Sequence, residues 1–367
     1  MKTMFLLSHT PIPRLLKRIQ VASELDTTKL IYWDRDIKND LKFTVPENAD
    51  CESIKLKAPQ GKPLKRSMLL IFFSFKSLKK MMKFKPKNLH VGNFDMLLIA
   101  YIYKQFINRN VNVIYEVGDL PEIIFKKNII SKIYIKAEKR LLNKVNFLIL
   151  TSPYFWDHYY SDITKEYKYQ LIPNVPSVKI TQGIESNNQN LNTNLTIGFI
   201  GSVRYEKQLK MLIDIVRYQK DIHLMIAGAG KSLEEIKRYA SVSKNIIFTG
   251  AYDYKDIGDL YNQVDIVYGV YDTTKNNVKI ALPNRLYESI LFEKPLIASK
   301  KTELAKFVLE NNIGFAVSDS NSEELKNLIT YINKNKESLK ELKNNCFEIK
   351  NNYIYEAYIP IIKSFYQ

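Results

Sequence analysis

The chain has 367 residues, of which 46% are hydrophobic, and this length suits two α/β domains better than one core. The cysteines, Cys51 and Cys346, lie far apart, which excludes a disulfide framework and a cysteine-rich zinc site and favours a reducing compartment. The formal net charge is +17, and residues 1–175 hold a surplus of 14 cations against 3 in residues 176–367, so the first half is expected to face an anionic partner.

Short apolar or β-branched runs alternate with helix-period stretches in the first half. The predicted strands are residues 3–7, 29–33, 88–91, 111–116 and 147–151, and the predicted helices include 14–25, 96–108 and 129–144. This alternation predicts a parallel sheet with helices on both faces. Residues 1–8 are predicted to be a first buried strand rather than a signal peptide. The longest apolar run, 68–75, is far shorter than the ~20 residues of a membrane-spanning helix.

The pattern pauses and then restarts in the second half. Residues 176–194 are rich in Asn, Ser, Thr and Gln, which is typical of a linker. Strands are predicted again at 195–200, 222–227, 245–248, 266–270, 295–298 and 314–317. We therefore expect an N-terminal Rossmann-like domain (1–175), a C-terminal one (195–345) and a helical tail (346–367) that could pack back on the first. Two such domains leave a cleft, the usual place for a ligand.

Two glycine turns in the second half carry the first candidate site. Gly201 follows a predicted strand and precedes a helix with cations at Arg204 and Lys207, while Gly228 and Gly230 follow the next strand. Glycine lets a phosphate approach the backbone, and a helix N-terminus and an arginine fork both bind phosphate oxygens. The alternative is a pair of ordinary chain reversals with solvated cations.

A third segment, 277–288, ends in Pro283-Asn284-Arg285-Leu286-Tyr287-Glu288. Pro283 and Asn284 can begin a helix that places Glu288 about one turn inside it. A carboxylate there can accept two hydrogen bonds from a ribose diol. The alternative is a surface glutamate on an amphipathic helix.

The two glycine turns and segment 277–288, together with residues 264–267 and 294–298, occur in the order found in a known family. They resemble the nucleotide-sugar domain of retaining GT-B glycosyltransferases, glycosyltransferase family 4 (group 1), of the bacterial surface-polysaccharide type. The resemblance implies a GT-B fold, with two Rossmann-like domains whose parallel sheets face each other across a cleft. It implies Arg204 and Lys207 on a donor diphosphate, Glu288 on the ribose, and the backbone near Asn284 and Arg285 beside the sugar-nucleotide. Ile280 stands where the family often has a glutamate, which leaves the donor sugar open.

The first half resembles the family less strongly. Gly92 and Gly118 stand at strand ends that commonly carry histidine in the family. Asp119 is therefore the first catalytic candidate and Glu116 the second, with His9 as a third; a structural aspartate capping the next turn is the alternative to a catalytic Asp119. Structural roles are also open for His9 and His90.

A basic face is expected in the first half. Residues 53–94 contain 11 Lys and Arg and no acid, and seven further cations fall in 126–144 opposed only by Glu138. Bulky apolar residues mixed with lysines can bury an apolar face at lipid headgroups. The predicted acceptor or membrane residues are Arg14, Lys65, Arg66, Lys76, Lys79, Lys80 and Lys83. The alternative is a core helix with a solvated basic face.

These patterns lead to one expected activity. The resemblance implies a cytoplasmic enzyme, peripheral on the inner face of the plasma membrane, that moves a sugar with retention from a nucleotide-diphosphate sugar to a polyprenyl-linked acceptor in capsule, exopolysaccharide or lipopolysaccharide synthesis. No cofactor or metal is expected, and no nucleic-acid module is evident. A GT-B nucleotide-sugar epimerase and a non-catalytic basic membrane adaptor are the alternatives.

Overall fold

The computed structural model describes residues 1–35, 43–58, 63–163, 169–182 and 194–367. Two compact units divide the chain: Met1–Pro173 together with Tyr358–Gln367 form unit 1, and Asn174–Ala357 form unit 2. The predicted linker, 176–194, belongs to the sequence of unit 2, and its residues 183–193 lie outside the described residues. The last ten residues of the predicted tail belong to unit 1, whereas its first part belongs to unit 2.

Unit 1 is built on a seven-stranded sheet in the order β3-β2-β1-β4-β5-β6-β7, in which all the neighbouring strands are parallel. Its strands are β1 (Lys2–Leu7), β2 (Thr27–Asp34), β3 (Ala49–Lys55), β4 (Asn88–Gly92), β5 (Asn112–Val117), β6 (Phe147–Leu150) and β7 (Gln170–Leu171). Its helices are α1 (Pro13–Leu25), α2 (Pro63–Phe84), α3 (Phe94–Phe106), α4 (Ile129–Leu142) and α5 (Ser161–Ile163), with a 3-10 turn at Glu122–Phe125 and a π turn at Trp156–Tyr160.

Unit 2 is built on a six-stranded parallel sheet in the order β10-β9-β8-β11-β12-β13. Its strands are β8 (Leu195–Ile200), β9 (Ile222–Ala227), β10 (Ile246–Gly250), β11 (Ile266–Gly269), β12 (Leu296–Ser299) and β13 (Gly314–Val317). The helices are α6 (Glu206–Val216), α7 (Leu233–Ala240), α8 (Ile257–Asn262), α9 (Asn276–Ile280), α10 (Asn284–Leu291), α11 (Glu303–Glu310), α12 (Ser322–Lys334) and α13 (Ser338–Ile349). The last helix, α14 (Tyr355–Ser364), begins in unit 2, and most of its residues belong to unit 1. Short 3-10 turns lie at Val178–Thr181, Tyr254–Asp256 and Lys350–Tyr353.

Local sequence explains most of these elements. Five of the six residues of β1 are buried, as its continuous apolar run requires of a strand with helices on both faces. Side-chain caps begin several helices: Asn128 accepts from the Ser131 amide at α4, and Thr302 accepts from the Ala305 amide at α11. The prediction of two Rossmann-like parallel-sheet domains is therefore confirmed.

The strand order reverses once in each sheet, between β1 and β4 and between β8 and β11. Open α/β sheets bind ligands outside the carboxyl ends of the strands at such a switch point. The loops after β1, β4, β8 and β11 are therefore where functional residues are sought first. Within the described ranges, the structure contains no helix with the length and apolar character that crossing a membrane would require.

The segment Tyr358–Gln367 completes the core of unit 1. Ile362, Phe365 and Tyr366 are buried there. The Tyr366 carbonyl accepts a hydrogen bond from Asn88 Nδ2 at 2.9 Å, and its hydroxyl lies 2.9 Å from His90 Nδ1. The central strand β4 thus depends on residues that are distant in sequence.

Candidate functional site

The first turn of the candidate site in unit 2 follows β8. Gly201 has φ +131°, a conformation that side chains disfavour, and α6 begins five residues later. Arg204 and Lys207 are both exposed, Arg204 just before α6 and Lys207 in its first turn. Two cations and a helix N-terminus therefore face solvent at the carboxyl end of β8, which favours an anionic ligand.

The second glycine turn packs directly on the first. Gly228 has φ +129°, and a Cβ there would lie 2.0 Å from the Gly201 carbonyl oxygen. A Cβ on Gly230 would lie 2.3 Å from the carbonyl oxygen of Val203. Both glycines are thus required for close backbone packing, which brings the ends of β8 and β9 together beside the exposed cations.

Arg285, on α10, forms hydrogen bonds to both strands of the β8–β11 switch point. Its Nε donates to the carbonyl of Ile200 at the end of β8, and its Nη1 donates to the carbonyl of Tyr268 in β11, both at 2.8 Å. The guanidinium lies 4.0 Å from the centre of the Phe199 ring. This buried arginine fixes the spacing of the two strand ends and places its positive charge against Gly201.

Glu288 lies one helical turn beyond Arg285 and is buried. Its Oε1 accepts from the Tyr254 hydroxyl and its Oε2 from the Tyr261 hydroxyl, both at 3.1 Å. Burial, followed by the Glu288 charge, raises the pKa of Tyr252 to about 12. Tyrosine hydroxyls therefore orient this carboxylate in a partly apolar setting, unlike the surface glutamate that the sequence left open as the alternative.

Tyr271, just after β11, connects the predicted groups. Its ring centre lies 5.0 Å from that of Tyr205, next to Arg204. Burial raises the pKa of Tyr271, and the charges of Arg285, Arg204 and Glu288 also act on it. The structure thus brings these three predicted residues together at one end of the unit 2 sheet.

Lys207 lies in the first turn of α6, three residues after Arg204, and its charge acts on the loop after β11. The Thr274 hydroxyl, and less strongly the charges of Lys275 and Lys207, lower the pKa of Asp272. Pro283 precedes α10 in an extended conformation, and the Asn284 side chain accepts a hydrogen bond from Asn174 at 2.6 Å. Pro283 and Asn284 therefore begin the helix that carries Arg285 and Glu288, as expected.

A separate ionic cluster lies in unit 1, where Glu116 is the last residue but one of β5. Its carboxylate is fully buried, with Arg14 Nε at 2.9 Å, Arg18 Nε at 3.2 Å and His90 Nε2 at 3.2 Å. Burial alone would raise the pKa of Glu116, but Arg18, His90 and Arg14 hold it well below its usual range. The carboxylate is therefore an ionised anchor for two arginines, without exposure to a substrate.

The other two catalytic candidates differ from Glu116. Asp119 is exposed in the loop after β5. His9 follows β1 and is half-buried; its Nδ1 lies 2.7 Å from the Thr10 carbonyl, and burial lowers its pKa. Asn93, after β4, donates to the Ser8 hydroxyl at 2.7 Å. Polar groups thus collect at the β1–β4 switch point, and Asp119 is an exposed acid in the loop after the next strand of the sheet.

The Arg14 side chain accounts for the glycine at position 118, where the resembled family commonly has histidine. A Cβ on Gly118 would lie 2.2 Å from both terminal nitrogens of Arg14, so the guanidinium occupies that space. Arg14 was expected on the acceptor or membrane surface, but it differs from that expectation because its side chain is only 12% exposed and pairs with Glu116. Arg14 holds the loop after β5 in place.

The remaining predicted basic residues lie on α2. Lys65, Arg66, Lys76, Lys79 and Lys83 are exposed, and Lys80 is half-buried. Arg66 pairs with Asp95 at 2.8 Å, and Lys80 pairs with Glu52. The expected basic face therefore exists along this helix.

Some residues of the site escaped sequence reasoning. Tyr254, Tyr261 and Tyr271 converge on Glu288 and Arg285 from loops and a helix that are far from α10 in sequence. Their type gave no signal, because the chain contains 24 tyrosines. In the part of the chain that the structure describes, no group of three His, Cys, Asp or Glu side chains is arranged to hold a metal ion.

Comparison with known proteins adds to this geometry. Residues 182–348 match the model of the family "Glycosyl transferases group 1". The succinoglycan biosynthesis protein ExoL of Rhizobium meliloti is 24% identical over 253 residues; the match covers 66% of this chain and 62% of ExoL, which is less than two thirds of that relative.

Two solved structures are similar over nearly the whole chain. Sucrose-phosphate synthase from Thermosynechococcus elongatus has a TM-score of 0.73 and 15% identity, with 100% of this chain and 98% of that one covered. Anabaena HepE in complex with UDP-glucose has a TM-score of 0.67 and 16% identity, with 100% and 98% covered. Residues 182–348 therefore resemble the group 1 glycosyltransferase domain, and the chain has the GT-B fold.

Proposed function

We propose that this protein is a retaining glycosyltransferase, which transfers a sugar from a nucleotide-diphosphate sugar to a polyprenyl-linked acceptor at the inner face of the plasma membrane. Its product would be a bacterial capsule, exopolysaccharide or lipopolysaccharide. The observation that carries the proposal is the arrangement at the β8–β11 switch point: Arg285 and Glu288 lie on one helix, and the ring of Tyr271 contacts both the Arg285 guanidinium and the ring of Tyr205, which follows Arg204. Lys207 lies three residues after Arg204 in the first turn of α6.

Each group has a task in this proposal. The exposed cations Arg204 and Lys207 bind the donor diphosphate and neutralise the negative charge that grows on it as the glycosidic bond breaks. Arg285 supports the Gly201 turn from beneath, so that turn amides can approach the phosphates. Glu288 accepts hydrogen bonds from the ribose diol, held in orientation by Tyr254 and Tyr261.

The comparisons support the donor and pathway. HepE was solved in complex with UDP-glucose, which supports a nucleotide-diphosphate sugar as the ligand of the unit 2 site. The name of ExoL, a succinoglycan biosynthesis protein, supports a role in polysaccharide synthesis. On the acceptor side we propose His9, which follows β1 at the β1–β4 switch point, and Asp119, which is exposed in the loop after the neighbouring strand β5, as the groups nearest the reacting hydroxyl.

Exposed apolar side chains support the membrane part of the proposal. Met68, Ile71, Phe72 and Phe75 on α2 are all exposed, with Lys65 and Lys76 flanking them. A second exposed apolar group, Ile129, Ile130 and Ile133, begins the basic helix α4. Such surfaces bury apolar area at lipid headgroups while each nearby lysine contributes about 1 kcal/mol at an anionic membrane.

The test is a transfer assay with purified Lys207→Ala and a matched Lys220→Ala control. Both variants lose one exposed lysine of unit 2, but only Lys207 lies at the site. The donor is first chosen by a thermal-shift screen of UDP-, GDP-, ADP- and CMP-sugars, since a ligand of the native state raises the melting temperature. We expect Lys207→Ala to lower kcat about 10²–10³-fold, the usual effect of removing one preorganised charge-stabilising group, and Lys220→Ala to leave it unchanged.

Equal turnover of the two variants would remove Lys207 from the mechanism. NMR of the product's anomeric carbon tests retention. An inverted product would contradict the retaining mechanism but not the transfer activity. Conversion of the donor without acceptor would instead indicate an epimerase. Binding to anionic vesicles without any stabilisation by nucleotides would indicate the adaptor.

A further inference from the structure

A lysine-lined cavity lies in unit 1 at the edge of its sheet. Its volume is about 640 Å³. One wall is the end of the edge strand β3, with Ser53, Ile54 and Lys55, and the other wall is α2. From α2 it is lined by Lys76, Lys79, Lys80 and Lys83. Because β3 is an outermost strand of the sheet, β2 and β1 separate this cavity from the β1–β4 switch point, and it belongs to neither polar cluster described above.

The cavity has a strong excess of positive charge. Lys80 is neutralised by Glu52, which also lies 3.3 Å from Lys29. Among the described residues, the other four lysines of the wall (Lys55, Lys76, Lys79 and Lys83) make no ion pair with an acid. Like charges gathered round one hollow repel each other, and an anion inside it would relieve that repulsion.

The lysines continue an apolar stripe of the same helix. Positions 76, 79, 80 and 83 follow the spacing of one helical face, and Phe72 and Phe75 lie four residues before Lys76 and Lys79 on that face. Phe72 and Phe75 are exposed, as are Met68 and Ile71 in the preceding turn. One side of α2 is therefore apolar in its first half and cationic in its second, which matches a ligand with an apolar part joined to a charged one.

We propose that this cavity, hereafter the α2–β3 pocket, binds a phosphate or diphosphate group, with any hydrocarbon attached to it lying along the exposed stripe of α2. A membrane surface alone needs only scattered cations, whereas four lysines round one cavity can enclose a single multiply charged group. The pocket does not depend on nucleotide-sugar binding in unit 2, so it goes beyond the proposed transfer activity and can be tested without a donor.

The first experiment is calorimetric titration with inorganic pyrophosphate. It uses the full chain carrying Arg204→Ala and Lys207→Ala, so that the cations of unit 2 do not contribute. We expect one pyrophosphate per chain. Adding Lys76→Ala, Lys79→Ala and Lys83→Ala should weaken it at least about tenfold, given about 1 kcal/mol for each nearby cation. A control that removes the same charge from exposed lysines of unit 2, Lys220→Ala with Lys244→Ala and Lys326→Ala, should bind as tightly as the parent.

A second measurement does not depend on variants that might fold poorly. Reductive methylation followed by mass spectrometry should show that pyrophosphate protects Lys76, Lys79 and Lys83 but not Lys220. Equal affinity of the pocket and control variants, or absence of this protection, would overturn the proposal whatever the fate of the transfer activity.

Further arms identify the source of the group. Farnesyl diphosphate and phosphatidylglycerol vesicles are each added as competitors of pyrophosphate, with phosphatidylcholine vesicles as the neutral reference. Competition by the first two, lost in the pocket variant, assigns the pocket to a phosphorylated lipid. Binding of pyrophosphate without competition by either assigns it to a soluble anion.

Discussion

The contact between the two glycine turns of unit 2 predicts a graded series of alanine substitutions. Gly250→Ala introduces strain alone, because Gly250 has φ +74° and a Cβ there would have no heavy atom within 4 Å. Gly230→Ala introduces overlap alone, since its Cβ would lie 2.3 Å from the Val203 carbonyl oxygen. Gly228→Ala introduces both, with φ +129° and a Cβ 2.0 Å from the Gly201 carbonyl oxygen.

The free energies follow from these geometries. A left-handed conformation costs a non-glycine residue roughly 1–2 kcal/mol, and overpacking against a fixed backbone typically costs about 1–3 kcal/mol. Gly250→Ala should therefore lower the free energy of unfolding by about 1 kcal/mol, and Gly228→Ala by about 3 kcal/mol or more. The reduced chain entropy of unfolded alanine is common to all three variants and cancels in the comparison.

The assay must report on unit 2. Both tryptophans, Trp33 and Trp156, lie in unit 1, so their fluorescence is unsuitable. Urea unfolding followed by circular dichroism should be combined with hydrogen exchange of the β8 and β9 amides, which gives a local opening free energy. If Gly228→Ala destabilises these strands no more than Gly250→Ala does, the two turns do not pack as described, and the phosphate-binding geometry derived from them fails as well.

Three further predictions concern buried groups. Tyr261→Phe removes one hydroxyl from Glu288 and should weaken donor binding about tenfold or more, the effect of losing one hydrogen bond to a charged group; a calorimetric affinity equal to that of the parent would show that Tyr261 does not support the site. Glu116→Gln leaves two guanidinium charges without their acid and should lower stability by about 3–5 kcal/mol at neutral pH. Because the folded pKa of Glu116 is lowered, its contribution to stability is present above the unfolded pKa of about 4.3 and is lost as the pH falls below that value. The melting temperatures of parent and variant should therefore converge at acid pH; a difference that does not change with pH would contradict this. Gly118→Ala should cost less than Gly228→Ala in urea unfolding, because the atoms it meets are the movable end of Arg14; an equal cost would show that the guanidinium is fixed.

Much of the fold could be predicted because its central strands are continuous apolar runs. The strands predicted at 3–7, 88–91 and 195–200 agree within two residues with β1, β4 and β8. The edge strand β3 was missed, since its sequence, Ala-Asp-Cys-Glu-Ser-Ile-Lys, is largely polar and half exposed. Its hydrogen bonds to β2 come from tertiary pairing rather than from a hydrophobic pattern.

The candidate site likewise contains residues that could be predicted from the sequence and residues that could not. Gly201, Arg204, Lys207 and Glu288 could be found because glycine, cations and a helical carboxylate fall at regular offsets from predicted strands. The role of Arg285 could not be predicted, because it donates to the carbonyls of Ile200 in β8 and Tyr268 in β11, which lie 68 residues apart in sequence. Similarly, nothing local indicated that Arg14 fills the space above Gly118.

The discontinuity of unit 1 has a consequence for biosynthesis. Residues 1–173 leave the ribosome first, but Ile362, Phe365 and Tyr366, which fill the core beside β4, are translated only after the whole of unit 2. Unit 2 can therefore finish folding first. Until the last ten residues are made, the part of the unit 1 core beside β4 that they fill remains exposed.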